Sequence, residues 1–241
     1  MKNAPPFTVV YEDADVIAVN KASGISTAGE RWDAAAPRLD KLIGGRLYVV
    51  HRIDKETSGL VLFAKTEDAH RRLCGIFERR EAAKIYIAIA NGKPAWRQTL
   101  CELSLVPDGN KKHQTIIDQF RGKKSVTRFT ALMSAGNYTV VRAEPETGRT
   151  HQIRVSLASL GHPAVCDTLY GGRHPLLLSE IKHGWHGDKH SEQPLVARLA
   201  LHAALLSVPG LPSLEAPLHK DMKAALHQFE KNGVIYEENK I

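Results

Sequence analysis

Apolar positions along this chain fall in short blocks, mostly of alternating character, and the blocks are separated by turn residues. Residues 7–10 and 16–20 are apolar runs split by the acidic turn Glu12-Asp13-Ala14-Asp15, the pattern of an opening hairpin. Gly24 and Gly29 then mark a loop. Residues 47–51 and 60–65 read as two strands flanking a polar loop over 52–59. At Thr66 the period changes. Thr66 is placed to cap a helix and Glu67 and Asp68 suit its positive end, while Ala69, Leu73, Ile76 and Phe77 recur on one face.

Residues 84–90 alternate again, with Ile85, Ile87 and Ile89 on one side and Lys84, Tyr86 and Ala88 on the other. That is the pattern of a half-buried strand, with Tyr86 facing away from the isoleucines. Further strands are expected over 98–105, 115–120, 126–133 and 138–143. Turn residues such as Pro107-Asp108-Gly109-Asn110 and Gly136-Asn137 join them, which favours antiparallel pairing. Residues 151–160 carry Ile153, Leu157 and Leu160 at helical spacing and stop at Gly161, a suitable C′ glycine. A loop rich in Gly, His and Pro follows over 171–194, then a mixed apolar stretch over 195–208. The last helix puts Met222, Ala225, Leu226 and Phe229 on one face and ends before Gly233. No repeat or linker divides the chain, so a single domain over 1–241 is expected.

Composition narrows the class. With 241 residues, 43% hydrophobic and 24% charged, the chain can bury a sizeable core and is neither disordered nor fibrous. Its three cysteines, Cys74, Cys101 and Cys166, form no disulfide framework and no Cys-x-x-Cys clip. Residues 1–6 contain no apolar leader core, and no stretch approaches the roughly 18 apolar residues of a membrane span. A cytoplasmic protein without membrane partners is expected. The excess of 33 Lys and Arg over 26 Asp and Glu, a net +7, suits a polyanionic partner. Phosphate-loop, dinucleotide, zinc-protease and nucleophile-elbow motifs are all absent.

Chemistry-bearing residues gather in two places. The loop His51-Arg52-Ile53-Asp54-Lys55-Glu56-Thr57-Ser58-Gly59 offers Asp54, which is either an ordinary turn or ion-paired aspartate or a carboxylate held ionised as nucleophile or base. Spacing does not choose. The second cluster, Gly148-Arg149-Thr150-His151-Gln152-Ile153-Arg154, puts His151 and Arg154 one helical turn apart. It is either a solvated helix face or a source of an arginine for a carboxylate such as Asp54, or for a phosphate. His174, His183, His186 and His190 lie among loosening glycines with no ligand periodicity, so a loop rather than a metal site is expected. Lys111, Lys112, Arg121, Lys123, Lys124 and Arg128, accompanied by Asp118, are able to neutralise phosphates collectively.

Taken together, these segments resemble the RluA-type family of RNA pseudouridine synthases. The ten residues from His51 to Leu60 are similar to its His-Arg-Leu-Asp-x-x-Thr-Ser-Gly-Leu signature, with Ile53 in the Leu place. Val19-Asn20-Lys21-Ala22-Ser23-Gly24, Lys84-Ile85-Tyr86, the block over 148–170 and Arg198-Leu199-Ala200-Leu201-His202-Ala203 match other elements in the family's order. Ala22, Ser156 and Cys166 depart from the usual Pro, His and Gly.

The resemblance implies an α+β fold with a largely antiparallel or mixed central sheet, flanking helices and an RNA-binding cleft. It implies isomerisation of uridine in tRNA or rRNA without cofactor or metal. Asp54 would be the catalytic carboxylate, Tyr86 would pack on the base and manage the C5 proton, and Arg154 would pair with Asp54. Arg52 would help extrude the uridine. His51, Thr57, Ser58, Arg149, His151, Gln152, Lys123 and Lys124 are the further positions expected at the RNA. A monomer without a separate N-terminal RNA-binding domain is expected. The alternative is an RNA-binding or RNA-folding protein on the same fold, with catalysis secondary or lost.

Overall fold

The computed structural model describes residues 5–29, 36–172, 174–188 and 190–236. Residues 1–4, part of the segment read above for a leader, lie outside these. The chain begins with strands β1 (Phe7–Glu12) and β2 (Val16–Lys21), the short helix α1 (Leu39–Ile43), β3 (Tyr48–Val49), β4 (Ser58–Ala64) and helix α2 (Glu67–Glu78). Next come β5 (Ala83–Asn91), β6 (Gln98–Val106), β7 (Ile116–Ile117), β8 (Lys123–Ala135), β9 (Tyr138–Pro145) and α3 (Gln152–Ser159). After a 3₁₀ turn at Leu178–Glu180 come β10 (Leu201–Ser207), β11 (Leu214–Glu215), α4 (Lys220–Asn232) and β12 (Val234–Ile235).

These elements form two compact units, Met1–Ile85 with His202–Leu218, and Tyr86–Leu201 with His219–Ile241. In the first, β4 is buried along its whole length and organises a mixed sheet. Antiparallel β2 runs along one edge of β4, while antiparallel β3 and parallel β10 share the other. β1 extends the sheet beyond β2, through the expected hairpin. α2 lies against β4 and buries Ala69, Leu73 and Ile76, and the Thr66 hydroxyl caps it by accepting from the Ala69 N–H at 3.2 Å. The capping and the apolar face are both as the periodicity requires.

The second unit is an antiparallel sheet in the order β5-β9-β8-β6-β7, with β12 added to β8. α3 packs on it over a core built from Ala88, Ala90, Phe129, Val141, Ile153 and Leu157. α4 covers β8 with Met222, Ala225, Leu226 and Phe229, the four residues read from its periodicity. The class is α+β with mixed sheet and flanking helices, as expected. Among the described residues no helix is long and apolar enough to cross a membrane.

Several local expectations need correction, each for a packing reason. The strand expected over 115–120 is only Ile116–Ile117, because Asp118 turns the chain by accepting from the Phe120 and Arg121 N–H groups. That expected over 47–51 is only Tyr48–Val49, and α1 was not signalled at all. Within 195–208 the strand starts at Leu201. β5 is not half-buried: Ile87 to Ala90 are covered on both faces, and the Tyr86 face joins the core under α3. α3 is no solvated face either, since residues 152–157 are all buried. Gly161 does adopt the left-handed conformation at φ +82°.

Gly59 shows what holds the first unit together. Its φ is +111°, and a Cβ there would lie 2.2 Å from the Ala203 carbonyl oxygen on β10. Gly59→Ala is therefore expected to destabilise the protein by about 3 kcal/mol, from left-handed strain plus overpacking. A urea midpoint unchanged from wild type would contradict this registry of β4 on β10.

Candidate active site

The signature loop leaves β3 and returns into β4, and its main chain is fixed from beneath. Thr27 Oγ1 accepts from the Ile53 N–H at 3.3 Å and donates to the Ile53 carbonyl at 3.1 Å, so one hydroxyl clamps both sides of a buried residue. The Asp54 carbonyl accepts from the Thr57 N–H at 3.1 Å, closing a turn. The Lys55 carbonyl accepts from the Gly24 N–H at 2.9 Å and from Lys21 Nζ at 3.0 Å. Ser23 Oγ donates to the Glu56 carbonyl at 2.7 Å.

Lys21 ends β2 and is 0% exposed, its ammonium group donating also to the Ala22 carbonyl at 3.0 Å. A charge buried this completely is costly unless hydrogen-bonded, and here the bonds tie β2 to the loop. Thr57 and Ser58 are buried too. Ser58 Oγ lies 2.9 Å from Nδ1 of buried His202, whose Nε2 lies 3.2 Å from the Ala216 carbonyl. A carbonyl only accepts, so Nε2 carries the proton and Nδ1 accepts from the serine. The loop therefore presents an exposed Arg52 and a half-buried Asp54 from a backbone anchored at Ile53, Asp54, Lys55, Glu56 and Thr57.

His51 is a structural residue. Its ring stacks on Phe77 with centroids 4.8 Å apart, and Nε2 accepts from the Leu62 N–H at 3.0 Å. Burial, reinforced by the Lys84 charge, pushes its pKa down to about 3. The imidazole is thus neutral and committed to the β4 backbone.

In the second unit the segment before α3 is organised by Gln152. Its Oε1 accepts from Thr147 Oγ1 at 2.7 Å and from the Arg149 N–H at 2.9 Å. Its Nε2 donates to the Val126 carbonyl and Thr127 Oγ1, both at 2.9 Å. All four valences of this buried amide are filled inside the protein, which makes Gln152 a hub of the fold. His151 takes up a left-handed φ of +53° at the helix start, and its Nδ1 lies 2.8 Å from the Tyr170 hydroxyl. Burial raises the Tyr170 pKa to about 12, so the phenol stays protonated.

Arg154 donates from Nε and Nη2 to the two oxygens of Asp167, at 2.7 and 2.8 Å, with both side chains buried. Its guanidinium carbon lies 5.2 Å from the centre of the Tyr170 ring. Such a bidentate, charge-assisted pair fixes the guanidinium plane. Tyr86 is half-buried against the core that underlies α3. Lys123 and Lys124 are exposed at the start of β8, where Lys124 pairs with Glu102 at 3.4 Å and Arg149 Nε donates to the Lys124 carbonyl at 3.1 Å.

Cys166, in the place usually held by glycine, has a left-handed φ of +59°. Its thiol points to the His174 and Val196 carbonyls, and burial pushes its pKa up to about 11, which leaves it a poor nucleophile. Among the described residues no group of His, Cys, Asp and Glu is gathered to hold a metal.

Sequence reading did not single out Thr27, and it assigned no separate role to Lys21, Asp167, Tyr170 or His202. The available signal was a lysine two residues past the apolar run Val16–Val19 in the same strand, which marks a cation with an internal partner.

Two outcomes follow from this geometry. His51 binds a proton less readily folded than unfolded, so its contribution is present above pH 6.5 and is lost as pH falls toward 3. Between pH 7 and 5 the wild type should lose about 2 kcal/mol more stability than His51→Gln, which keeps an acceptor but does not titrate. Parallel pH profiles in urea unfolding would contradict this. Asp167→Asn breaks the buried bidentate pair with Arg154 and should cost about 3–5 kcal/mol. A loss under about 1 kcal/mol would show that the pair does not hold the segment.

Comparison with known proteins agrees with this arrangement. Residues 15–159 match the family model described as RNA pseudouridylate synthase. The chain is 35% identical over 232 residues to ribosomal large subunit pseudouridine synthase D of Neisseria meningitidis, covering 89% of this chain and 59% of that one. It is 39% identical over 170 residues to the dual-specificity RNA pseudouridine synthase RluA of Vibrio cholerae, covering 69% of each. The chain thus spans about three-fifths of the length of the synthase D relatives it matches. The solved structure of human RNA pseudouridylate synthase domain containing 1 has the same fold, with a TM-score of 0.71 at 22% identity over 100% of this chain and 94% of that one. With its signature loop intact and its fold shared, the chain belongs to the RNA pseudouridylate synthase family.

Proposed function

We propose that this chain is a pseudouridine synthase of the RluA type that isomerises uridine in structured tRNA or rRNA, acting as a cytoplasmic monomer. The observation that carries the reading is Asp54 on a loop whose backbone is clamped by Lys21, Ser23, Gly24 and Thr27. Rigid presentation of one carboxylate is what attack on a fixed sugar carbon requires.

In the proposed reaction the C1′–N1 bond of a flipped uridine breaks with its electron pair left on the uracil, the uracil turns, and a C1′–C5 bond forms as the C5 proton leaves and N1 takes up a proton. Asp54 either adds to C1′ or removes a ribose proton to give a glycal. Nothing is oxidised or reduced, so the chemistry calls for neither nucleotide nor metal. Tyr86 packs on the uracil and handles the C5 proton. Arg154 engages Asp167 through Nε and Nη2, and the family resemblance assigns it the further role of ion-pairing with Asp54. Arg52 assists in extruding the uridine from the stack.

Of the remaining positions, the structural evidence supports two groups. Arg149, Lys123 and Lys124 contact the RNA backbone, whereas His51, Thr57, Ser58, His151 and Gln152 act by shaping the loops. The names of the relatives refer to ribosomal large subunit and dual-specificity enzymes, which supports testing rRNA and tRNA separately.

Tritium at uridine C5 reports the reaction directly. Purified wild type should release it to water from one of the two RNA classes, and Asp54→Asn should release it at least about a hundredfold more slowly. Equal release by the two proteins would remove Asp54 from the chemistry, and RNA binding without release by wild type would favour an RNA-folding role.

A further inference from the structure

The most exposed large apolar side chain among the described residues is Phe120, 100% exposed at the tip of the turn between β7 and β8. The turn beneath it is tightly built. Asp118 Oδ1 accepts from the Phe120 and Arg121 N–H groups at 3.0 Å each, and Oδ2 accepts from Arg121 Nε at 2.6 Å. The Asp118 N–H donates to the Ser104 carbonyl of β6, and its own carbonyl accepts from the Gly122 N–H, both at 2.9 Å. A Cβ at Gly122 would lie 2.4 Å from the Asp118 carbonyl oxygen, so the turn needs glycine there. An aromatic ring is thus held in water by a fixed backbone, at a cost in hydration that the fold does nothing to relieve.

Both ends of this segment are tied to the loop before α3. Thr115 Oγ1 donates to the Thr150 carbonyl at 2.9 Å, and its N–H donates to the Tyr170 hydroxyl at 2.8 Å. On the return, Arg149 Nε donates to the Lys124 carbonyl at 3.1 Å. Phe120 stands four residues from Lys124, within about 13 Å of extended chain. Arg121, Lys123 and Lys124 are exposed along that stretch and Arg149 closes it, so the ring sits at the end of a cationic strip.

We propose that Phe120 is a stacking platform for an unpaired base of the RNA substrate, with the strip from Arg121 to Arg149 tracking the adjoining phosphates. This rests on the proposed RNA substrate and adds to it a residue that selects single-stranded or looped segments. A lone flat ring among cations fits a nucleobase, whose π-face it covers while phosphates meet the charges. A protein partner would call for a contiguous apolar patch of several hundred Å²; the turn offers beside Phe120 only Ile117 of the neighbouring strand.

The test compares two RNA probes, a stem-loop with an unpaired loop of about eight nucleotides and a fully paired duplex of the same composition. Phe120 is solvent-exposed, so substitution there leaves the core intact. Phe120→Ala should weaken stem-loop binding about tenfold, barely change duplex binding, and leave the slope of log affinity against log salt unaltered. Phe120→Trp should restore affinity and show fluorescence quenched on binding, whereas Phe120→Leu should not rescue. Charge reversal of Lys123 and Lys124 should flatten the salt slope instead. Wild-type affinity in Phe120→Ala, or full rescue by Leu, overturns the stacking role while leaving RNA binding in place. Self-association abolished by Phe120→Ala would assign the ring to a second copy of the chain. Failure of wild type to bind either probe overturns the RNA reading itself along with it.

Discussion

A buried ammonium group sets the terms for the first unit. Lys21 is fully removed from water, and its charge is satisfied by main-chain carbonyls, one of them in the signature loop itself. Because an unsatisfied buried charge costs several kcal/mol, the loop cannot drift from β2 without exposing or stranding that cation. Thr27, Gly24 and Ser23 then fix the backbone on either side, and Gly59 lets β4 approach β10 closely enough for Ser58 to reach His202. The half-buried position of Asp54 is the outcome of these constraints rather than of its own contacts alone.

The second unit solves a related problem with neutral and paired groups. Gln152 spends a whole amide on joining the approach to α3 to β8, and Arg154 spends two donors on Asp167. Such fully satisfied buried networks fix one geometry, because each alternative leaves a donor or acceptor stranded. The result is that exposed cations, Arg121, Lys123 and Lys124, project from a framework that has little freedom beneath them.

Much of this was legible in the chain, for identifiable reasons. The helices α2 and α4 and the hairpin of β1 and β2 follow from apolar periodicity and a side-chain cap, which are local. The loop carrying Asp54 was visible because its residues are contiguous. What could not be read were the partners supplied from a distance: Thr27 for Ile53, Lys21 for Lys55, and Asp167 for Arg154. Likewise, the polarity of His151, Gln152 and Arg154 left a solvated face open as one of two readings of α3. Burial with complete hydrogen bonding does not show in polarity. The short strands β3 and β7 were overestimated because the chain turns early, at Asp118 after β7 and into the signature loop after β3. Cys166 shows the converse, a left-handed position that glycine usually fills and that the substitution alone hinted at.

The central physical claim is that the backbone around Asp54 is rigid before any RNA arrives, and amide hydrogen exchange on the unliganded protein tests it most directly. The Gly24, Ile53 and Thr57 amides should exchange at least about a hundredfold slower than in an open chain, and Lys21→Met should release Gly24 and Thr57 selectively while α4 stays protected. Open-chain exchange at these amides in the wild type would contradict the account, because the carboxylate would then be carried on a loop that the buried lysine does not hold.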